Sequence, residues 1–362
     1  MSQRLLSLDV FRGMTIFFMI MVNTPGSWSF VYSPLRHAKW DGCTPTDLVF
    51  PFFMFIAGVS MAISHSKFNA QNSKEWIRKA ISRGLKIIFI GLLLNWFPFF
   101  TKSINDLRLF GVLQRIGLSF MIAGILISFV KSKYLWVLTS VLLLSYWGIL
   151  LTAGDGALTL EGNLVRSIDL SLFGENHIYK GYGIPFDPEG LLSTLPAICT
   201  ILLGYICGHR ILSVPAHIKK ISWLATTGIV CVLAGLLWSE VGFPINKPIW
   251  SSSYVLFTAG LAMLLLAAMI WIIDIQQLKS WTYIFRAFGQ NPLVVYALSG
   301  LFVKISFLIK PDERNLYAWT YENVFQPVFG DYFGSFMFAL SFVMFIWLFA
   351  LALDRKGIIV KV

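Results

Sequence analysis

Apolar residues run in blocks along the whole chain, each close to the roughly 20 residues that cross about 30 Å of hydrocarbon. Ten membrane-spanning helices are predicted, at 7–24, 46–65, 80–100, 110–130, 134–152, 190–208, 220–238, 252–273, 291–309 and 332–353. The longest connection between them is 153–189. That stretch holds Gly154, Gly156, Gly162, Gly174, Gly181 and Gly183 with six acids, and reads as an outer loop over the membrane. No motif is duplicated between the two halves, so no internal repeat is expected. The pattern predicts an all-α, polytopic integral membrane helical bundle, a single domain over residues 1–362.

Composition agrees with the pattern. The chain is 57% hydrophobic and 13% charged, against about 25% charged in soluble domains, and its mean hydropathy is +0.72. "MSQRLLSLDVFRG" is not a cleavable signal, because Asp9 and Arg12 fall where an apolar core would start. The first span is then expected to direct its own insertion. Cys43, Cys199, Cys207 and Cys231 form no C-x-x-C pair, and the histidines beyond His37 lie far apart, so no metal site is expected.

Charge gives an orientation. Ten spans put both termini on one side. That side holds 18 cations, from Arg4 and Arg12 through the "KEWIRKAISRGLK" stretch to Lys361, against four acids, a net +14; the other side holds 11 cations and 14 acids, a net −3. Cytoplasmic loops carry the Lys and Arg excess, so both termini are expected in the cytoplasm. The overall +11 is then topology and contact with anionic membrane lipid, with no nucleic-acid partner implied.

Ionisable groups inside membranes are costly and mark structure or function. Asp9 and Arg12 share a helix face, either as a mutual ion pair or as an anion site. Asn23 ends the first span, where it can cap the exit. Arg115, near the outer start of the fourth span, is expected to snorkel. In "FGQNPLVVY", Asn291 and Pro292 suit a helix cap and first turn. Asp187 and Glu189 sit at the N-terminal end of the sixth span, which favours acids. "PINKPIWSSSY" offers Asn246 and Lys247 as hydrogen-bonding groups, and Trp250 as an interfacial ring or a sugar-stacking one. In "TPTD", Thr44, Pro45 and Asp47 have nearly a capping-box arrangement. His37 has no such structural duty. A histidine there can take or give a proton near neutral pH, and a nearby carboxylate can fix its tautomer.

Taken together, "RLLSLDVFRGMTIFFMIMVN", "RHAKWDGCTPTDLVFPFFMFIAGVSM", "GVLQRIG", "FDPEGLLSTLPAI", "PINKPIWSSSYVLFTAG" and "FGQNPLVVY" resemble the membrane core of the heparan-α-glucosaminide N-acetyltransferase family. They keep their order from residue 4 to about 300. The first motif stands at the start of the chain, as expected of the short bacterial form in an inner membrane. The resemblance implies acetyl transfer from cytoplasmic acetyl-CoA to the amine of a terminal glucosamine or similar glycan end on the outer side, with no metal. It also suggests a homodimer. The family's catalytic histidine falls on His37, and its accompanying Asn and Asp on Asn23 and Asp47. His37 would act as general base or accept the acetyl group itself. For the nucleotide of CoA, charge and side point to Arg12, Arg78, Lys79, Arg83 and Arg286. For the acceptor they point to Asp187 and Glu189, with Asn246, Lys247 and Trp250. A sugar or proton-coupled transporter, an O-acetyltransferase of surface polysaccharide and a non-catalytic scaffold are the competing readings.

Overall fold

The computed structural model describes residues 5–68, 73–101 and 103–360; Arg4 and Lys361, counted in the charge balance, lie outside them. Each predicted span is a helix. In chain order these are α1 (Leu6–Asn23), α2 (Pro45–His65), α3 (Ser73–Trp96), α4 (Val112–Phe129), α5 (Leu135–Leu151), α7 (Thr194–Ser213), α8 (His217–Glu240), α9 (Ser252–Met269), α11 (Pro292–Leu308) and α14 (Asp331–Arg355). Four shorter helices lie between them: α6 (Leu164–Phe173), α10 (Thr282–Gln290), α12 (Leu316–Thr320) and α13 (Gln326–Phe329).

Eight of the described helices are long and apolar enough to cross a membrane, or nine if the pair α10–α11, bent by 89°, makes one span. The difference from ten lies at α3. Its first turns carry Lys74, Glu75, Arg78, Lys79, Arg83 and Lys86, so its apolar part begins only near Ile87. Helical periodicity continues past an apolar run when the following turns find packing partners, and α3 packs along α4. The α10–α11 bend falls at "QNP". Pro292 lacks an N–H and pushes the preceding residue off helical geometry, and Asn291 sits at φ −128°, ψ 52°. The outer stretch 153–189 is not bare loop. Within it α6 forms, its N-terminus capped by Asn163, whose side chain accepts from Arg166 N at 2.9 Å.

The described residues divide into two compact units. One draws on Met1–Ala38, Thr44–Phe50 and Gln276–Val362; the other on Lys39–Cys43 and Pro51–Ile275. In the first unit α1 packs against α10, α11 and α14. Its crossing with α10 is made by two glycines. A Cβ on Gly13 would run into the Phe285 carbonyl, and one on Gly289 into the Asp9 carbonyl. Small residues let helix backbones approach where hydrocarbon offers no hydrophobic drive. The break before α11 is closed by Asn291. Its Nδ2 donates to Ile358 O at 2.8 Å, and its Oδ1 accepts from Val360 N at 2.8 Å.

In the second unit α7 is the central helix, buried over most of its length, with α4, α5 and α9 against it. Gly58 of α2 and Gly204 of α7 pack there in the same backbone-to-backbone manner. Val165 and Phe186 of the outer stretch form a buried apolar cluster with Tyr146, Leu150, Phe243 and Ile249.

Candidate active site

The first unit holds the segment that carries His37 and the start of α2. Thr44 precedes α2, Pro45 opens it, and Asp47 is the third helical residue. The reciprocal half of the capping box is present: Asp47 Oδ2 accepts from Thr44 N at 3.0 Å. The same oxygen accepts from Ala38 N at 3.0 Å, and Thr44 Oγ1 lies 3.0 Å from it. The other carboxylate oxygen does something a cap does not require. Asp47 Oδ1 is 2.6 Å from His37 Nδ1.

The two explanations for Asp47 therefore use different atoms. Oδ2 caps α2 and gathers the His37 segment; Oδ1 faces the imidazole. A carboxylate can only accept, so Nδ1 carries the proton and donates. That tautomer puts the lone pair on Nε2, the atom a general base uses. Asp47 is 1% exposed, whereas the His37 side chain is 42% exposed. A buried carboxylate thus orients a ring that a ligand can reach.

Three further hydrogen bonds fix the segment. Thr46 Oγ1 donates to Pro34 O at 3.1 Å. The Arg36 guanidinium turns back onto its own loop, donating to Val31 O at 2.8 Å and Ser29 O at 3.1 Å. Asn23 ends α1 with its side chain exposed, and its Nδ2 donates to Met19 O at 2.8 Å.

Arg12 realises the ion-pair alternative. Its Nη1 is 3.4 Å from Asp9 Oδ1 and donates to Gly289 O at 3.1 Å, tying α1 to α10. Arg286 pairs with Asp354 at 3.4 Å, and its guanidinium covers the Tyr283 ring. Gln290 also donates to Asp354. Both arginines hold the first unit together.

The other expected cations lie on α3, in the second unit. Arg78 lies on an exposed face of α3 with Lys74 and Lys86. Lys79 donates to Ser64 Oγ at 3.0 Å over the Phe68 ring. Arg83 lies over the Phe120 ring at 4.9 Å.

The expected acceptor groups are mostly engaged. Asp187 is fully buried and takes a two-pronged contact from Arg108, whose Nε and Nη2 each donate at 2.8 Å; Nη2 also reaches Glu189 Oε2 at 2.6 Å. Burial works against the Arg108 charge, but the hydrogen bonds and attraction of the two acids outweigh it and raise its pKa. Nothing in the local pattern singled out Arg108, because its partners come 79 and 81 residues later. Asn246 is buried, with its Nδ2 donating to Asp41 Oδ1 at 3.1 Å and its Oδ1 accepting from Ile249 N at 2.9 Å. Lys247 is half-buried in the same turn.

Trp250 is 1% exposed, so it is not a ring of the interfacial belt. Its backbone is left-handed, at φ 52°. Its Nε1 donates to Thr200 Oγ1 at 3.2 Å, and Arg115 lies over its ring at 5.0 Å. Arg115 does not snorkel either. It is 1% exposed and reaches Gly190 O at 3.3 Å and Ser193 Oγ. Asp169 of α6, also unforeseen, is buried with Oδ1 accepting from Leu191 N at 3.0 Å, and burial pushes its pKa up to about 7. Among the described residues no group of three or more His, Cys, Asp or Glu could hold a metal ion.

The fold defines a polytopic helical membrane protein, and His37 with Asp47 has the arrangement of a general base and its orienting carboxylate. The family model described as heparan-alpha-glucosaminide N-acetyltransferase, catalytic, matches residues 4–239. The chain belongs to that family. It is similar to the mouse protein named heparan-alpha-glucosaminide N-acetyltransferase, with 27% identity over 353 residues, 82% of this chain and 53% of the relative. To the human protein of the same name it is 28% identical over 351 residues, 81% of this chain and 52% of the relative. The chain spans about half the length of these relatives.

Proposed function

We propose that the protein moves an acetyl group from acetyl-CoA on its N-terminal, cytoplasmic side to the amine of a glucosamine-type sugar on the opposite side, with His37 as general base. The observation that carries this reading is the hydrogen bond between His37 Nδ1 and Asp47 Oδ1 beneath an exposed ring. The names of the mouse and human relatives supply the reaction class.

An amino sugar is largely an ammonium near neutral pH and attacks only as the free amine. The ammonium first gives one proton to water; as the free amine's nitrogen bonds to the thioester carbon, His37 Nε2 takes a second. The imidazolium that forms keeps its Nδ1–H on Asp47. The tetrahedral intermediate then collapses, the carbon–sulfur bond breaks, and CoA leaves as a thiolate that the imidazolium reprotonates. General-base help of this kind is worth about 10²- to 10⁴-fold. Asn23 is exposed, and its amide has a second N–H beyond the one on Met19 O, suited to the oxyanion.

For the CoA phosphates this reading favours the exposed face of α3 that carries Lys74, Arg78 and Lys86, because Arg12 and Arg286 are paired with acids. Asp187, Asn246 and Trp250 have structural partners, so recognition of the acceptor falls to the His37 segment and its surroundings. Excess cations on the N-terminal side would also meet anionic lipid, and a homodimer in a bacterial inner membrane is the assembly this reading expects. The test is purified protein in detergent with acetyl-CoA and glucosamine. Equal amounts of CoA thiol and N-acetylglucosamine are expected. An alkali-labile O-acetyl product, or no acetylated sugar from protein that binds CoA, would overturn the reading.

A further inference from the structure

Asp47 can orient His37 only if its own carboxylate is held still. The donors on Oδ2 do that. Two are backbone N–H groups, of Ala38 and Thr44, and no side-chain substitution removes them. The third is the Thr44 hydroxyl. It lies 3.0 Å from Asp47 Oδ2 and 2.7 Å from the carbonyl oxygen of Arg36. Arg36 is the residue before His37. One hydroxyl therefore stands between the carboxylate that orients the imidazole and the peptide that delivers it.

That hydroxyl has a single proton and two acceptors. An ordinary N-cap threonine turns its oxygen toward backbone N–H groups of the first helical turn. Thr44 presents its O–H to acceptors on both halves of the dyad. The geometry points to Thr44 as a positioning residue for acetyl transfer: its hydroxyl divides its proton between Arg36 O and Asp47 Oδ2 and so keeps the His37 Nδ1–Asp47 Oδ1 bond in register through the reaction. When His37 becomes imidazolium, the charge on Asp47 is drawn toward Oδ1. The hydroxyl relaxes toward Arg36 O and returns to Oδ2 when the ring is neutral again. No bond other than this hydrogen bond changes partner.

Thr46 provides a comparison within the same turn. It also ties the segment to α2, through Pro34 O at 3.1 Å, and it is 2% exposed, but no hydrogen bond joins its side chain to Asp47. Loss of Thr46 tests what a tether alone is worth. Loss of Thr44 tests a tether together with a donor to the carboxylate.

The inference rests on the reading of His37 as base, and its test separates the two. Wild-type protein, Thr44→Val, Thr44→Ser, Thr46→Val and His37→Ala are compared for melting temperature and for kcat and KM with acetyl-CoA and glucosamine. Valine keeps the shape of threonine and removes the hydroxyl; serine restores it. A hydrogen bond to a charged group corresponds to roughly ten- to hundredfold in rate when lost. Thr44→Val is expected to lower kcat by about that factor, with KM for both substrates near wild type. Thr44→Ser should recover most of it, and Thr46→Val should lower the melting temperature with kcat within about threefold. If His37→Ala is inactive while Thr44→Val turns over like wild type, the role of Thr44 is wrong and the base stands. Equal losses in Thr44→Val and Thr46→Val reduce Thr44 to a tether and overturn the inference. If Thr44→Val fails to fold, Thr44→Ser decides: a folded serine variant with kcat as low as His37→Ala contradicts it. Wild-type turnover in His37→Ala removes the reading on which it rests.

Discussion

Asp47→Asn separates capping from catalysis because the donors around the two carboxylate positions are fixed. The amide that replaces the carboxylate has one acceptor oxygen and one NH₂. At the Oδ2 position wait Ala38 N and Thr44 N, both at 3.0 Å, with the Thr44 hydroxyl beside them. Backbone N–H groups cannot rotate away, and opposing them with NH₂ would cost about 1–3 kcal/mol for each one left unsatisfied. The amide oxygen therefore takes the Oδ2 position, and the cap survives. Its NH₂ is left facing His37 Nδ1, 2.6 Å from Oδ1 in the native protein. Only a lone pair on Nδ1 can meet that NH₂, so the proton moves to Nε2 and the base is in the wrong tautomer. The expected loss in kcat is about 10²- to 10⁴-fold, some 3–5 kcal/mol of barrier. The folded state keeps its cap and exchanges a charge-assisted contact for a neutral one, at a cost of about 1–2 kcal/mol. Steady-state acetyl transfer and thermal unfolding in the same detergent read the two quantities. Wild-type turnover, or a mild parallel fall in activity and melting temperature, would show that Asp47 is a cap and nothing more.

Gly289→Ala places a methyl group against the Asp9 carbonyl where α1 crosses α10, so it should destabilise by about 1–3 kcal/mol; an unchanged melting temperature would show that the crossing is loose. Arg108→Gln leaves the buried Asp187 without its cation and should cost about 3–5 kcal/mol, with Arg108→Lys recovering only part because an ammonium lacks the fork that meets both oxygens. Asp169 gives a pH dependence. Its pKa is lifted from the usual 3.8 to about 7 by burial, so its contribution to stability is full below the unfolded value and is lost as pH rises through about 7. The melting temperature should fall between about pH 4 and pH 7, and Asp169→Asn should flatten that fall; an unaltered slope would place its cause elsewhere.

The helical architecture was legible because membrane spans announce themselves by length and apolarity. What misled was the ends. α3 begins well before its apolar run because charged turns can pack along a neighbouring helix, and α10 is hidden by the "QNP" break that also bends it away from α11. The dyad was legible because His37 and Asp47 lie ten residues apart and the capping signature fixed the start of α2. Long-range polar partners were not. Arg115 was expected to snorkel, but Ser193 and Trp250 meet it from distant parts of the chain. Asp187 and Glu189 looked like acids attracted to a helix N-terminus. They are also the partners of Arg108, and no local spacing encodes that pairing. Asn246 and Trp250 have the composition of a sugar site, and long-range contacts to Asp41 and Thr200 that no local spacing encodes hold both in place.

The central claim is tested most directly in sealed proteoliposomes. Labelled acetyl-CoA is supplied on the face that carries the chain termini, with glucosamine on the other, and both wild type and His37→Ala are followed. N-acetylglucosamine is predicted to accumulate only on the glucosamine side, only with wild type, and to cease when acetyl-CoA is moved to the glucosamine face. Glucosamine crossing unmodified, or His37→Ala forming product at the wild-type rate, would contradict it.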